Sequence, residues 1–190
     1  MANLLEKLIA AHCSPALAGI KPANLAACRK SDFAADGSDI HKEISQLEDK
    51  LKSKKIRIDI VCECDRRVLV MVYRKDVLDN HLKNNLNKAF LAQYGYAMAT
   101  KTDEYIEILK TRIRDDDFPH EIGVFLGYPL HDIYCFINHR DQGCLMTGEW
   151  KVYHNIEEAK RLFDRFKKCK TAVTQKLSEG KTLAQIFCAA

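Results

Sequence analysis

No stretch of this 190-residue chain approaches the roughly 18 to 20 consecutive apolar residues that cross a bilayer. Internal repeats, low-complexity tracts and Pro/Gly-rich linkers are also missing, with only four prolines and eight glycines. Fibrous, collagen-like and disordered classes are thereby excluded. Charge of one sign is scarce: 30 Lys and Arg against 26 Asp and Glu leave +4, too small a surplus to imply a polyanion partner. None of the eight cysteines (13, 28, 62, 64, 135, 144, 169 and 188) forms a C-x-x-C pair, so zinc ribbons and thioredoxin-type motifs find no support. The first residues carry Glu6-Lys7 where a signal peptide would have its apolar segment. The expectation is a cytoplasmic protein with reduced thiols, in a setting that is strongly reducing or anaerobic.

What is present is an ordinary globular composition, 47% hydrophobic and 29% charged. A chain of this length buries roughly 70% of its unfolded surface, enough for stability without disulfides or metal. The patterning predicts one α+β domain over 1–190: a small, mainly antiparallel sheet of about three strands packed with several helices. Residues 1–53 read as helical. Leu4, Leu5, Leu8 and Ile9 face inward on a helix ending near His12, Ser14-Pro15 starts a new turn, and Ile40, Ile44, Leu47 and Leu51 stripe a later helix. From Ile56 the period becomes two, which predicts a hairpin over 56–74 with Val68–Tyr73 as its more buried strand. On this alternation Cys62 and Cys64 share the side of Ile56, Ile58 and Ile60, as buried small hydrophobes.

Residues 76–139 read as helical again, with Leu78, Leu82, Leu86 and Phe90 as one stripe. Within them, Phe118 to Asn138 form two short helices joined at Gly127-Tyr128-Pro129. A third strand over 145–153 and C-terminal helices over 155–188 complete the expectation, the latter opened by Asn155 and Glu158 at capping-box spacing. From Lys151 to Lys181 nine basic residues face four acidic ones. Glu157 with Arg161 and Asp164 with Lys168 pair at i,i+4, which describes a solvated helix face. No aromatic-interleaved basic motif is present, which argues against a nucleic-acid surface.

Four constellations have chemical potential. His12-Cys13 ahead of Ser14-Pro15 places a thiol at the expected start of a helical turn, where unpaired amides, the imidazolium and Lys21 would favour the thiolate. Phe118-Pro119-His120-Glu121, preceded by Asp115-Asp116-Asp117, sets a general acid or base beside a carboxylate in a first helical turn. Trp150-Lys151-Val152-Tyr153 alternates two faces, Trp150 with Val152 and Lys151 with Tyr153. His131, Cys135 and His139, at i, i+4 and i+8, are weak candidate metal ligands on the polar side of a helix. Gly123 and Gly127 do not form a phosphate loop, because no strand precedes them. Each constellation also has a purely structural reading: a packed helix end, an N-terminal cap, a sheet face, a solvated helix side.

Three segments, His12-Cys13-Ser14-Pro15-Ala16-Leu17-Ala18-Gly19-Ile20-Lys21-Pro22-Ala23-Asn24-Leu25, Phe118-Pro119-His120-Glu121-Ile122-Gly123-Val124-Phe125-Leu126-Gly127-Tyr128-Pro129 and Trp150-Lys151-Val152-Tyr153, together resemble an uncharacterised bacterial family. That family is a domain of unknown function common in anaerobes, and the resemblance covers nearly the whole chain. It implies no activity, but it implies a cytoplasmic, anaerobe-type setting and a single functional unit made of the three segments.

The leading expectation is a redox-linked or small-ligand-binding protein. Cys13, His120 and Glu121 are its candidate catalytic residues, and His12, Lys21, Asn24, Tyr128, Trp150, Lys151 and Tyr153 its candidate ligand contacts. In an enzymatic version Cys13 is nucleophile or redox thiol, His120 the acid or base, and Lys21 the anion holder. The alternative is a non-catalytic interaction or regulatory module, and a third reading is a metal or haem protein. The sequence specifies no cofactor. The partners it allows are a small molecule or a redox partner protein, with no membrane.

Overall fold

The computed structural model describes residues 2–115 and 118–188. In chain order the elements are α1 (Leu4–Leu17), β1 (Ala23–Arg29), α2 (Lys30–Asp36), α3 (Ile40–Leu51), β2 (Ile56–Glu63), β3 (Arg67–Arg74), α4 (Lys75–Leu82) and α5 (Asn85–Leu91). There follow α6 (Thr102–Asp115), α7 (Ile122–Phe125), α8 (Leu130–His139), β4 (Met146–Thr147), β5 (Lys151–Val152), α9 (Ile156–Ser178) and α10 (Leu183–Phe187). The class is α+β with a small antiparallel three-stranded sheet, as the patterning implied. Contacts group the chain into two compact units, Met1–Leu78 with Cys169–Ala190, and Asp79–Lys168. No helix among the described residues is long and apolar enough to cross a membrane.

In the first unit the sheet order is β1-β3-β2. The apolar β3 is central because both of its faces are buried, and the hairpin with β2 forms as the period-two alternation requires. The third strand is not 145–153 but β1, in a region the sequence presents as helical. Ala-Asn-Leu-Ala-Ala-Cys has no β-branched residue, but β3 needs a second neighbour, and pairing from Ala23↔Tyr73 to Arg29↔Arg67 satisfies its open edge. One sheet face, with Ala26, Cys28, Ile58, Val70 and Val72, packs in a common core with Leu5, Ile9 and Leu17 of α1 and the Ile40, Ile44, Leu47, Leu51 stripe of α3.

Two local expectations are overturned here. α1 does not stop at His12 but runs through Pro15, started by a capping box between Asn3 and Glu6 and ended at Gly19, whose φ is +70°. The carbonyl that Pro15 deprives of its helical partner belongs to Ala11, which is exposed, so water can satisfy it. In β2 a bulge between Ile60 and Cys62 breaks the alternation. Val61 is buried in consequence, whereas Cys62 is only half-buried and Cys64 is exposed.

The second unit is built on an aromatic cluster. Tyr96 and Tyr105 stack with ring centroids 5.9 Å apart, and Phe125 lies 5.8 Å from Tyr96. Buried Tyr105, Ile106 and Leu109 form the inner face of α6, as their spacing predicts. The stripe expected from Leu78 to Phe90 is interrupted: the Asn84 side chain accepts from the Leu86 N–H and starts a new helix, leaving Leu86 70% exposed. The Gly-Tyr-Pro corner joins α7 to α8, with Gly127 at φ +70°. The segment 145–153 is not one strand but a minimal hairpin of β4 and β5, closed by Gly148 N–H donating to the Trp150 carbonyl at 3.0 Å. A side chain at Gly148 would collide with the Phe163 ring, so the absence of a Cβ lets α9 lie against this turn.

Candidate functional site

The first motif belongs to the first unit and the other two to the second. In the first, His12 is exposed while Cys13 is fully buried, because successive helical residues point about 100° apart. Cys13 lies in the C-terminal half of α1, away from the amides that would favour a thiolate. Burial pushes its pKa far above the usual thiol range, Cys28 adds to this, and the opposing charges of Lys21 and Lys170 do not overcome it. The expected activated thiol is thus a core group. Lys21 is itself 3% exposed, and Asn24 accepts a hydrogen bond from the Ala16 N–H at 3.1 Å, tying β1 to α1.

In the second unit His120 and Glu121 do not act as a pair. Glu121 is 1% exposed and forms an ion pair with Arg112, with the Tyr96 hydroxyl 3.4 Å away as a donor. His120 is half-buried, packs edge-on against Phe136 with centroids 5.0 Å apart, and has its Nε2 2.6 Å from Nη1 of Arg140. A guanidinium can only donate, so Nε2 accepts and the imidazole proton sits on Nδ1. Of the acidic run ahead of Phe118, Asp116 and Asp117 lie outside the described residues.

The Gly-Tyr-Pro corner and the β4-β5 hairpin meet at Asp132, a residue that sequence reasoning did not single out. It is 3% exposed, and its carboxylate accepts from Trp150 Nε1 at 2.8 Å and from the Tyr153 N–H at 2.9 Å. Trp150 is sandwiched by Tyr128 at 5.1 Å and Phe163 at 4.6 Å. Burial, with the charge of Glu149 as the smaller cause, pushes the Tyr128 phenol up to about 12. The expected alternation in Trp150-Lys151-Val152-Tyr153 holds: Trp150 and Val152 are buried, Lys151 and Tyr153 half-buried.

The half-buried face converges on Phe136. The guanidinium carbon of Arg140 and the ammonium of Lys151 each lie 5.5 Å from its ring centroid. Lys151 also pairs with Asp141, and the Tyr153 hydroxyl donates to the carbonyl of Arg140. Arg140 closes α8 with φ +51° and ψ −122°, a conformation that costs a non-glycine residue on the order of 1–3 kcal/mol. The missed residues left one trace: Asp132, Phe136 and Arg140 follow one another at i, i+4 and i+8 on α8.

The same spacing defeats the metal trio. His131 Nε2 lies 3.6 Å from Cys135 Sγ, but eight residues of helix span about 12 Å, too far for His139 to share a metal with His131. Among the described residues no group of three His, Cys, Asp or Glu side chains is arranged to hold a metal ion.

Compared with known proteins, residues 9–187 match the model of a family described as protein of unknown function (DUF3793). No curated protein and no solved structure matches the chain.

Proposed function

Since the chain belongs to this family of unknown function, whose description assigns it no activity, we propose that it is a small-ligand-binding protein whose binding face is the corner around Phe136. His120, Phe136, Arg140, Lys151 and Tyr153 make up that face. The observation that carries the reading is Arg140. A backbone at φ +51° and ψ −122° is one that glycine adopts with little strain and that a residue with a side chain rarely takes. Here an exposed arginine occupies it, and the Tyr153 hydroxyl and the Phe136 carbonyl hold its backbone in place. Strain retained at a polar, exposed side chain is a signature of a site.

The reading keeps the ligand-binding half of the sequence expectation and assigns Cys13, Lys21 and Asn24 to the core of the first unit. Eight reduced thiols, two buried, five half-buried and the exposed Cys64, suit a reducing cytoplasm. Backbone amide NMR of the full chain with a set of neutral, cationic and anionic fragments tests it. Shifts should concentrate on residues 120, 136, 140, 151 and 153 and shrink in Tyr153→Phe. Shifts that are absent, or scattered over both units, would overturn it.

A further inference from the structure

We infer that the ligand of this corner is a compact anion with two or more phosphate or carboxylate groups, held by Arg140 and Lys151 against the Phe136 ring; this rests on the binding face proposed above. The side chains on the face supply positive charge and donors. Arg140 and Lys151 carry fixed charges, and each lies 5.5 Å from the same ring centroid, so the two are separated by at most twice that distance. Two anionic groups on one small molecule span such a gap. The ring contributes no counter-charge: its negative face holds both cations in place while leaving their charge largely available.

Neither cation is fully committed. One nitrogen of Arg140 contacts His120 Nε2, and among the described residues its other N–H groups make no hydrogen bond. A planar guanidinium presenting two free, parallel donors is the geometry that a carboxylate or a phosphate accepts in bidentate fashion. Lys151 is paired with Asp141, whose side chain is 78% exposed. An ion pair that open to water is weak and exchangeable, so an incoming anion can displace the aspartate at little cost. The arginine backbone is also fixed at both ends, its N–H by the Phe136 carbonyl at 3.0 Å and its carbonyl by the Tyr153 hydroxyl. The side chain is held in turn by the His120 ring nitrogen and the Phe136 ring, so the guanidinium is aimed before any ligand arrives, which reduces the ordering cost of binding.

A second cationic group provides the contrast. At the tip of the β2-β3 hairpin Arg29 lies directly opposite Arg67, beside Lys30 and Arg66. There Lys30 is paired with Glu63 at 2.6 Å, and among the described residues no aromatic ring lies against these cations. If net charge alone attracted anions, this tip would bind as well as the corner.

The test titrates the full chain with pyrophosphate and, separately, with citrate at physiological ionic strength, followed by calorimetry and by emission from Trp150, the only tryptophan. At least one probe should bind saturably with one site, and tighter binding of one of the two identifies the phosphate or the carboxylate source. Arg140→Gln and Lys151→Gln should each weaken binding about tenfold, the loss expected for one charge-assisted contact. Arg140→Lys should recover part of the loss, and Arg66→Gln at the hairpin tip should leave affinity within about twofold. Unchanged far-ultraviolet circular dichroism shows that the variants fold. If neutral fragments shift the corner amides while neither anion binds, the anionic class is wrong and the binding face stands. If nothing shifts those amides, both fail. Equal weakening by Arg66→Gln reduces the effect to net charge and overturns the inference.

Discussion

Replacing Asp132 should destabilise the second unit in graded steps. Its carboxylate is the acceptor for two donors from the hairpin, Trp150 Nε1–H and the Tyr153 N–H, in surroundings that leave Asp132 3% exposed. Asp132→Ala leaves both donors without a partner, and each unsatisfied buried donor costs about 1–3 kcal/mol, so the expected loss is about 2–6 kcal/mol. Asp132→Asn has nearly the same shape but keeps only one accepting oxygen, while its amide N–H₂ confronts the second donor. It also removes a buried charge, which offsets part of the loss, so about 1–2 kcal/mol is expected. Urea denaturation followed by Trp150 emission reads this unit directly, because the chain has one tryptophan and it is the donor in question. A loss below about 0.5 kcal/mol for Asp132→Ala, or a larger loss for Asp132→Asn than for Asp132→Ala, would refute the account of Asp132 as the residue joining corner and hairpin. Asp132→Asn should also weaken the pyrophosphate or citrate response, since Lys151 and Tyr153 ride on the hairpin it anchors.

Three further outcomes follow from the packing. In native protein, mass-spectrometric mapping of maleimide labelling should find Cys64 modified first, because it is exposed and the backbone N–H groups of Arg66 and Arg67 lower its pKa, while Cys13 and Cys28 label only on unfolding. Burial raises Cys28 from the ordinary thiol value of 9.0 to about 11 and Cys13 further, so the folded state favours the protonated thiols. The contribution of Cys28 to stability is therefore complete below pH 9 and lost as pH rises through 11, that of Cys13 extends to higher pH, and denaturation midpoints from pH 7 to 11 should fall less steeply in Cys28→Ala. Gly148→Ala should cost about 1–3 kcal/mol and red-shift Trp150 emission, since the added methyl displaces the Phe163 ring that packs on the indole. An unchanged melting temperature and emission maximum would show that the turn accommodates a Cβ.

Much of the fold is legible along the chain. The hairpin of β2 and β3, the stripe of α3, the corner between α7 and α8 and the start of α9 each follow from residues within a turn or two of one another. The same holds for the two faces of Trp150-Lys151-Val152-Tyr153. The site was only half legible. His120, Lys151 and Tyr153 were singled out by residue type, but Asp132 and Arg140 were not, because a carboxylate and a guanidinium on a polar helix side look like solvated surface until their partners are known.

The sequence by itself determined the α+β class, the positions of most helices and the inward faces, because periodicity and caps depend on near neighbours. Only the tertiary structure decided that Ala23–Arg29 is a strand, since the open edge of β3 outweighs the helical propensity of alanine and leucine. It alone decided that Cys13 lies in the core and that Glu121 pairs with Arg112 instead of with His120. It also brought Arg140 and Lys151 to one ring. Burial and electrostatics depend on what the whole chain packs around a residue, and the spacing of its neighbours does not encode that.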